Sequence, residues 1–464
     1  MSQKHTFNYR FLFRVSLVTA MGGLLFGYDW VVIGGAKPFY ETFFQISNTP
    51  SLQGWAMSCA LIGCLVGAIF SGMLSDNYGR KRLLIIAALL FFISAIGTGA
   101  SNSFNHFIFY RILGGVGIGL ASNLSPMYIA EISPAKVRGK FVSLNQLTIV
   151  IGILAAQLVN WQIAEPVPTN ANSLEILNSW NGQTGWRWMF WIEIIPAGLF
   201  FILMFFVPES PRWLAQKGYK EKTRSILTKI GGQNYADTEV KKIEVTLKND
   251  SLKDSFRKLL QPNIKKILII GIVIAVFQQW CGINVIFNYA DEIFAAAGYG
   301  VSDILFNIVI TGSVNLVFTF IAIFTVDRWG RRSLMLLGAG GLAGIYTLIG
   351  LAYFFEISGW PLLILVISAI ACYAMSLAPV TWVILSEIFP NKIRGAAMAA
   401  ATIALWLACF ILTYTFPILN QFFGASGTFW LYGLISIAGF IFIYKKLPET
   451  KGKSLEEIEK EITQ

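Results

Sequence analysis

The chain has 464 residues, 55% hydrophobic and only 13% charged, with a formal net charge of +11. Soluble globular chains carry about 25% charged residues, and a soluble core cannot use this many uniformly apolar helices, so a soluble all-helical enzyme is a poor fit. Two histidines, and five cysteines (Cys59, Cys64, Cys281, Cys372, Cys409) without a CxxC spacing, argue against a disulfide framework or a zinc or His-based metal site.

Apolar stretches near the ~20-residue spanning length recur along the chain. Their cores are 12–35, 54–75, 83–101, 105–129, 141–163, 188–207, 266–290, 303–326, 333–355, 361–388, 395–420 and 427–446. This predicts an all-α membrane protein of about twelve transmembrane helices. Polar interruptions mark 278–290 and 373–387. No small-residue cleavage site follows the first span, so it reads as a retained helix. That span also holds a carboxylate, Asp29, inside "GGLLFGYDWVVIGG". At a helix centre this costs about 2.5–3.5 kcal/mol on insertion scales, so a compensating role is expected.

Basic residues alternate with the loops. The loops around 36–53, 102–104, 164–186, 291–302, 356–360 and 421–426 hold a single Lys, Lys37, and no Arg. The other set holds "NYGRKR", "AKVRGK", the 208–266 segment, "DRWGRR", "NKIRG" and the tail from Lys445. By the positive-inside rule both termini are cytoplasmic. The charge is topological and calls for no nucleic acid.

Three motifs repeat in order. "DNYGRKR" recurs as "DRWGRR", "EISPAKVRG" as "EIFPNKIRG", and "PES" as "PET". Near-constant separations of about 250 residues imply two homologous six-span halves, as in transporters with parallel repeats. The halves are 1–207 and 266–446, joined by a linker at 208–265 with apolar residues at helical spacing between charges, and followed by a cytoplasmic tail, 447–464. Gly79 and Gly330 suit tight turns between membrane helices. Asp76, Arg80, Arg82, Glu131 and Arg138 can form a charge network, with a second copy in Asp327, Arg331, Arg332, Glu387 and Arg394. Such a network locks one conformation and breaks in another; snorkelling charges that only fix topology are the alternative.

Several polar groups lie inside spans. Gln278, Gln279 and Asn284 sit mid-span in the seventh, separated by Gly282, and Asn315 in the eighth. Amides offer donors and acceptors without charge, which suits a neutral polyol; helix–helix hydrogen bonding accounts for them equally well. Trp406 is too deep for an interfacial anchor. With Trp382 it offers an aromatic face and an N–H donor to a sugar. Pro379 is expected to break the tenth helix. Asp29, Arg111 and Glu193 share one depth in the first half. They form either a buried structural ion pair or a proton site whose partner is released in one conformation.

The motifs "GRKR", "RGKFVSLNQL", "PESPRWL", "QQWCGINVIFNYA", "EIFPNKIRG" and "PETKGKSLEEI" resemble, over essentially the full length, the sugar porter family of the major facilitator superfamily. Within it the chain is most similar to bacterial xylose– and arabinose–proton symporters. The resemblance implies two six-helix bundles, alternating access and a cytoplasmic helical domain between the halves. Gln278, Gln279, Asn284, Asn315, Trp382, Trp406 and also Gln146 match sugar-contacting positions. Asp29, Arg111 and Glu193 match proton-coupled relatives, whereas facilitative ones have Asn in place of the Asp. Leu405, Asn288 beside Tyr289, Ala378 and Ile153 depart from the family pattern and leave the sugar open. The expected function is proton-coupled uptake of a pentose or hexose across the inner membrane. The expected partners are the monosaccharide, protons and the lipid bilayer, in a monomeric state without cofactor. A facilitative uniporter and a non-transporting sugar sensor are the alternatives, and no enzyme motif is present.

Overall fold

Asn8 starts the first helix, its side chain accepting from the Phe11 N–H, which satisfies a donor left free at a helix N-terminus. The computed structural model describes residues 7–135, 137–168, 171–247, 261–296, 298–357, 359–389 and 393–451. The first half contains α1 (Tyr9–Phe43), α2 (Pro50–Tyr78), α3 (Arg80–Ala100), α4 (Phe104–Ile132) and α5 (Arg138–Ile163). A short α6 (Ser173–Asn178), closed by a capping box between Asn172 and Glu175, leads to a π turn at Asn181–Gly185. From it α7 (Trp186–Trp191) and α8 (Ile194–Phe206) continue as the sixth crossing.

The linker forms three amphipathic helices, α9 (Pro211–Gln216), α10 (Lys220–Gly231) and α11 (Gln233–Leu247). They dock on the start of α1. The Asn8 N–H donates to the Ile230 carbonyl at 2.8 Å, and the Phe7 and Tyr235 rings meet edge to face at 5.4 Å. The second half begins with α12 (Pro262–Trp280). There follow α13 (Ile283–Asn288), α14 (Ala290–Ala296), α15 (Val301–Trp329), α16 (Arg331–Phe354), α17 (Trp360–Met375), α18 (Leu377–Ile388) and α19 (Arg394–Lys446). The last is two helices joined by a kink at Gly424 (φ 66°, ψ 176°). Eleven helical stretches among the described residues are long and apolar enough to span a membrane. With the kinked one counted as two, the expected twelve crossings are present.

Lipid tails are as apolar as leucine, so these helices associate through close packing rather than by escaping water. Glycines provide it. A Cβ on Gly27 of α1 would lie 1.9 Å from the Ile149 carbonyl oxygen of α5, and one on Gly115 of α4 would lie 1.9 Å from that of Ala60 in α2. Large apolar side chains such as Ile195, Phe206, Phe324 and Phe422 face outward, toward the lipid of a membrane protein.

Two expectations are refined. The first span was expected to end near residue 35, but α1 runs on through Pro38 to Phe43, so Lys37 is a buried helical residue rather than a loop cation. Proline at this site is tolerated because the helix end packs against neighbours that fix it. The tenth crossing does break near Pro379, at Ser376 (φ −123°, ψ −86°), leaving the proline in the first turn of α18, where its missing N–H costs nothing.

Candidate functional site

Gly282 adopts a left-handed conformation (φ 87°) that separates α12 from α13. A side chain is strained there, and a Cβ would also meet the Tyr432 ring at 2.8 Å. The break turns residues on both sides toward each other. Asn284 Nδ2 donates to Gln279 Oε1, Gln279 Nε2 to Gln278 Oε1 at 3.0 Å, and Gln278 Nε2 to the Ala378 carbonyl at 3.4 Å. Three amides thus form one chain that ends on the backbone of the broken tenth crossing. Gln278 and Gln279 are buried, as is Asn315 on α15.

Trp406 is buried and its indole N–H has no hydrogen-bond partner among the described residues. Its ring lies 6.0 Å from Trp30 and 5.9 Å from Phe26, both on α1. An aromatic cluster therefore spans the two halves. Neither α1 aromatic was singled out in the sequence, although their i, i+4 spacing places them on one face. Among the described residues no hydrogen bond joins Gln146, Asn315 or Trp382 to the amide chain. Gln146 is half-buried on α5, and Trp382 is 38% exposed.

The adjoining face of α1 carries Asp29. Arg111 of α4 pairs with its carboxylate and also donates to its backbone carbonyl at 3.3 Å. The guanidinium sits over the Phe190 ring at 5.7 Å. Asp29 Oδ2 and Arg111 Nε have no further partner among the described residues. Glu193 lies between α7 and α8, fully buried, with Oε1 unpaired and close enough to both for a Coulombic interaction. The three ionisable groups expected at one depth are brought together. A small cavity reaches from Arg111 past Trp30 and Cys64 to Asn288 on α13, whose Oδ1 is also unpaired.

The repeated loop motifs build one device twice. Arg80 pairs with Asp76 at 3.3 Å and Glu131 at 3.0 Å and donates to the Ser75 carbonyl at 2.9 Å. Arg331 pairs with Glu387 at 3.2 Å and donates to the Val326 carbonyl at 3.3 Å. The described ion pairs of both sets lie within their own half. Arg82 and Arg138 are exposed, while Arg332 donates to the Tyr444 carbonyl at 2.7 Å. The side chains of Asp327 and Arg394, and the tail from 452 on, lie outside the described residues.

The third repeated motif completes the device through a residue that was not singled out. Glu209 accepts from the N–H groups of Arg80 (3.0 Å) and Lys81 (3.1 Å), and Glu449 from those of Arg331 (2.9 Å) and Arg332 (3.1 Å). Each carboxylate caps a helix N-terminus, where the dipole favours negative charge. Gly79 (φ 90°) and Gly330 (φ 87°) leave the room, since a Cβ would come within 2.3 Å and 2.7 Å of the glutamate oxygens. The repetition of "PES" as "PET" was the available signal. Burial raises the Glu209 carboxyl above its ordinary value despite these bonds. At Glu449 burial also pushes up, but bonds from Lys451, Arg331, Arg332 and Thr450 outweigh it and hold the carboxyl below its ordinary 4.5. The Glu449 cap therefore contributes above pH 4.5 and is lost as the pH falls through its lowered value. Glu449→Gln removes the charge and is expected to cost about 0.3–1 kcal/mol, read at neutral pH as a lower melting temperature of the purified protein. An unchanged melt would show that the cap adds nothing.

A sequence-family model described as "Sugar (and other) transporter" matches residues 15–462. The D-xylose-proton symporter of Escherichia coli (strain K12) is 41% identical, over 98% of this chain and 96% of its own length. The arabinose-proton symporter of Bacillus subtilis (strain 168) is 40% identical, over 97% and 95%. The inward-open structure of the xylose transporter from E. coli superimposes with a TM-score of 0.84 at 39% identity, over 97% of this chain and 99% of that one. The proton:xylose symporter bound to 6-bromo-6-deoxy-D-glucose gives 0.80 over 98% and 99%.

Proposed function

This chain belongs to the sugar transporter family and has the major facilitator fold, and from that premise we propose that it carries a monosaccharide into the cell together with a proton by alternating access. The observation that carries the reading is the double role of α1. One face holds Asp29 against Arg111, and the adjoining face presents Phe26 and Trp30 to Trp406 across the two halves. A movement of α1 that loosens the ion pair also changes the aromatic wall of the amide site. Asp29, released from Arg111, is the carboxylate that carries the proton, and proton binding is thereby linked to sugar binding.

The amides Gln278, Gln279 and Asn284 supply donors and acceptors for sugar hydroxyls, and the Trp406 indole N–H supplies another. Gln146, Asn315 and Trp382 are assigned to the same site on the strength of the resemblance. The face with the loop motifs, the linker and both termini is the cytoplasmic one, consistent with its basic loops. The Arg80 and Arg331 clusters, with Arg138 and Arg394, brace that face. The protein works as a monomer in the inner membrane, in two bundles joined by the helical linker. D-xylose and arabinose are the first sugars to try, because the relatives are named for them. Counterflow in proteoliposomes with a panel of labelled pentoses and hexoses identifies the substrate. Uptake with and without an imposed proton gradient tests the coupling. Gradient-driven accumulation is expected; exchange without accumulation would make the protein a uniporter.

A further inference from the structure

Lys37, near the end of α1 away from the loop motifs, is 2% exposed. Its ammonium lies 3.4 Å from Glu41 on the same helix, 3.1 Å from Asp291 and 2.7 Å from Glu292 on α14, and 5.7 Å over the Tyr289 ring. Gln53 at the start of α2 donates to Glu41 at 3.0 Å, and Asn420 of α19 approaches Glu292 at 3.4 Å. Four charged residues from two halves thus meet in one buried cluster. The described ion pairs of Arg80 and Arg331 on the opposite face lie within one half each, whereas here, among the described residues, charge bridges the halves.

We propose that Lys37 is a positioning residue for transport: it holds α13 and α14 against α1, so that the outer entrance is closed while its bonds to Asp291 and Glu292 stand. This rests on the assignment of the loop-motif face to the cytoplasm. Three carboxylates surround one ammonium. Without it they repel one another in a low dielectric, and a buried charge left unpaired is strongly unfavourable. When the entrance opens, water reaches each group and screens the repulsion. Lys37 therefore stabilises the closed arrangement and contributes little to the open one, which is the differential interaction a conformational equilibrium responds to. Asp291 shows how closely the site is balanced. Burial pushes its carboxyl up to about 6 even though Lys37 pulls the other way. The clamp also reaches the sugar site along a short path, because Asn288 and Asn284 lie on α13, just before Tyr289 and the acidic pair. Sugar entry from outside then requires the cluster to part, and commitment to the inward route requires it to re-form.

The test compares Lys37→Met and Lys37→Arg with the parent protein. Spin labels at Ser47→Cys and Phe423→Cys report the separation of the halves on this face, in a Cys372→Ser background. Lys37→Met is expected to shift the ratio of open to closed by about tenfold or more, whereas Lys37→Arg retains the parent distances. In uptake, Lys37→Met is expected to lower both the external KM and kcat, because the outward state is more populated but closes poorly. A damaged fold does not lower KM. Unshifted distances in Lys37→Met, or a failure of Lys37→Arg to restore them, would overturn the proposal. If Lys37→Met does not fold, Asp291→Asn combined with Glu292→Gln removes both cross-half acceptors, and unshifted distances there overturn it equally. The label distances are read without sugar or gradient, so an error in the transport reading leaves this test standing.

Discussion

Asp29→Asn is expected to abolish uphill sugar accumulation while leaving sugar binding and exchange in place. The carboxylate is buried beside Arg111, and Asn keeps the shape and a hydrogen-bond acceptor but cannot cycle a proton. One proton crossing ~100 mV supplies about 2.3 kcal/mol, which corresponds to roughly 50-fold accumulation at 1.4 kcal/mol per tenfold. The expected change is from about that ratio to unity in proteoliposomes with an imposed gradient. Counterflow, which needs no net proton movement, should persist. Accumulation that survives in Asp29→Asn would move the proton to Glu193, the buried carboxylate of the same cluster whose Oε1 has no hydrogen-bond partner among the described residues.

Gln279→Ala is expected to weaken sugar binding by about 1–3 kcal/mol, or roughly 5- to 150-fold. Gln279 is the middle of the amide chain, accepting from Asn284 and donating to Gln278. Its removal leaves both neighbours without their partner and takes a donor and an acceptor from the site. Gln278→Ala should cost less, because the Asn284–Gln279 bond remains. Calorimetry on folded protein checks the order. Affinity unchanged in Gln279→Ala, with Gln278→Ala weakened, would place the sugar away from the middle amide.

The twelve crossings, the two halves and the motif turns at Gly79 and Gly330 were legible in the sequence. A span is a property of about 20 consecutive residues, and a turn one of its own backbone. The same locality made Asp29 stand out, since a carboxylate in an apolar run is anomalous wherever its partner lies. Full-length motifs then carried the family. What the sequence left undecided is pairing across distance. Phe26 and Trp30 read as two more apolar residues of α1 until the fold sets them against Trp406. Glu209 and Glu449 read as linker and tail charges until each reaches the first N–H groups of a helix more than 100 residues away in the chain. Lys37 counted as a loop cation because hydropathy marks where an apolar run ends, not where a helix ends. Its nearest cross-half acceptors lie 254 and 255 residues on, and a buried lysine is tolerable only where tertiary structure delivers its counter-charges.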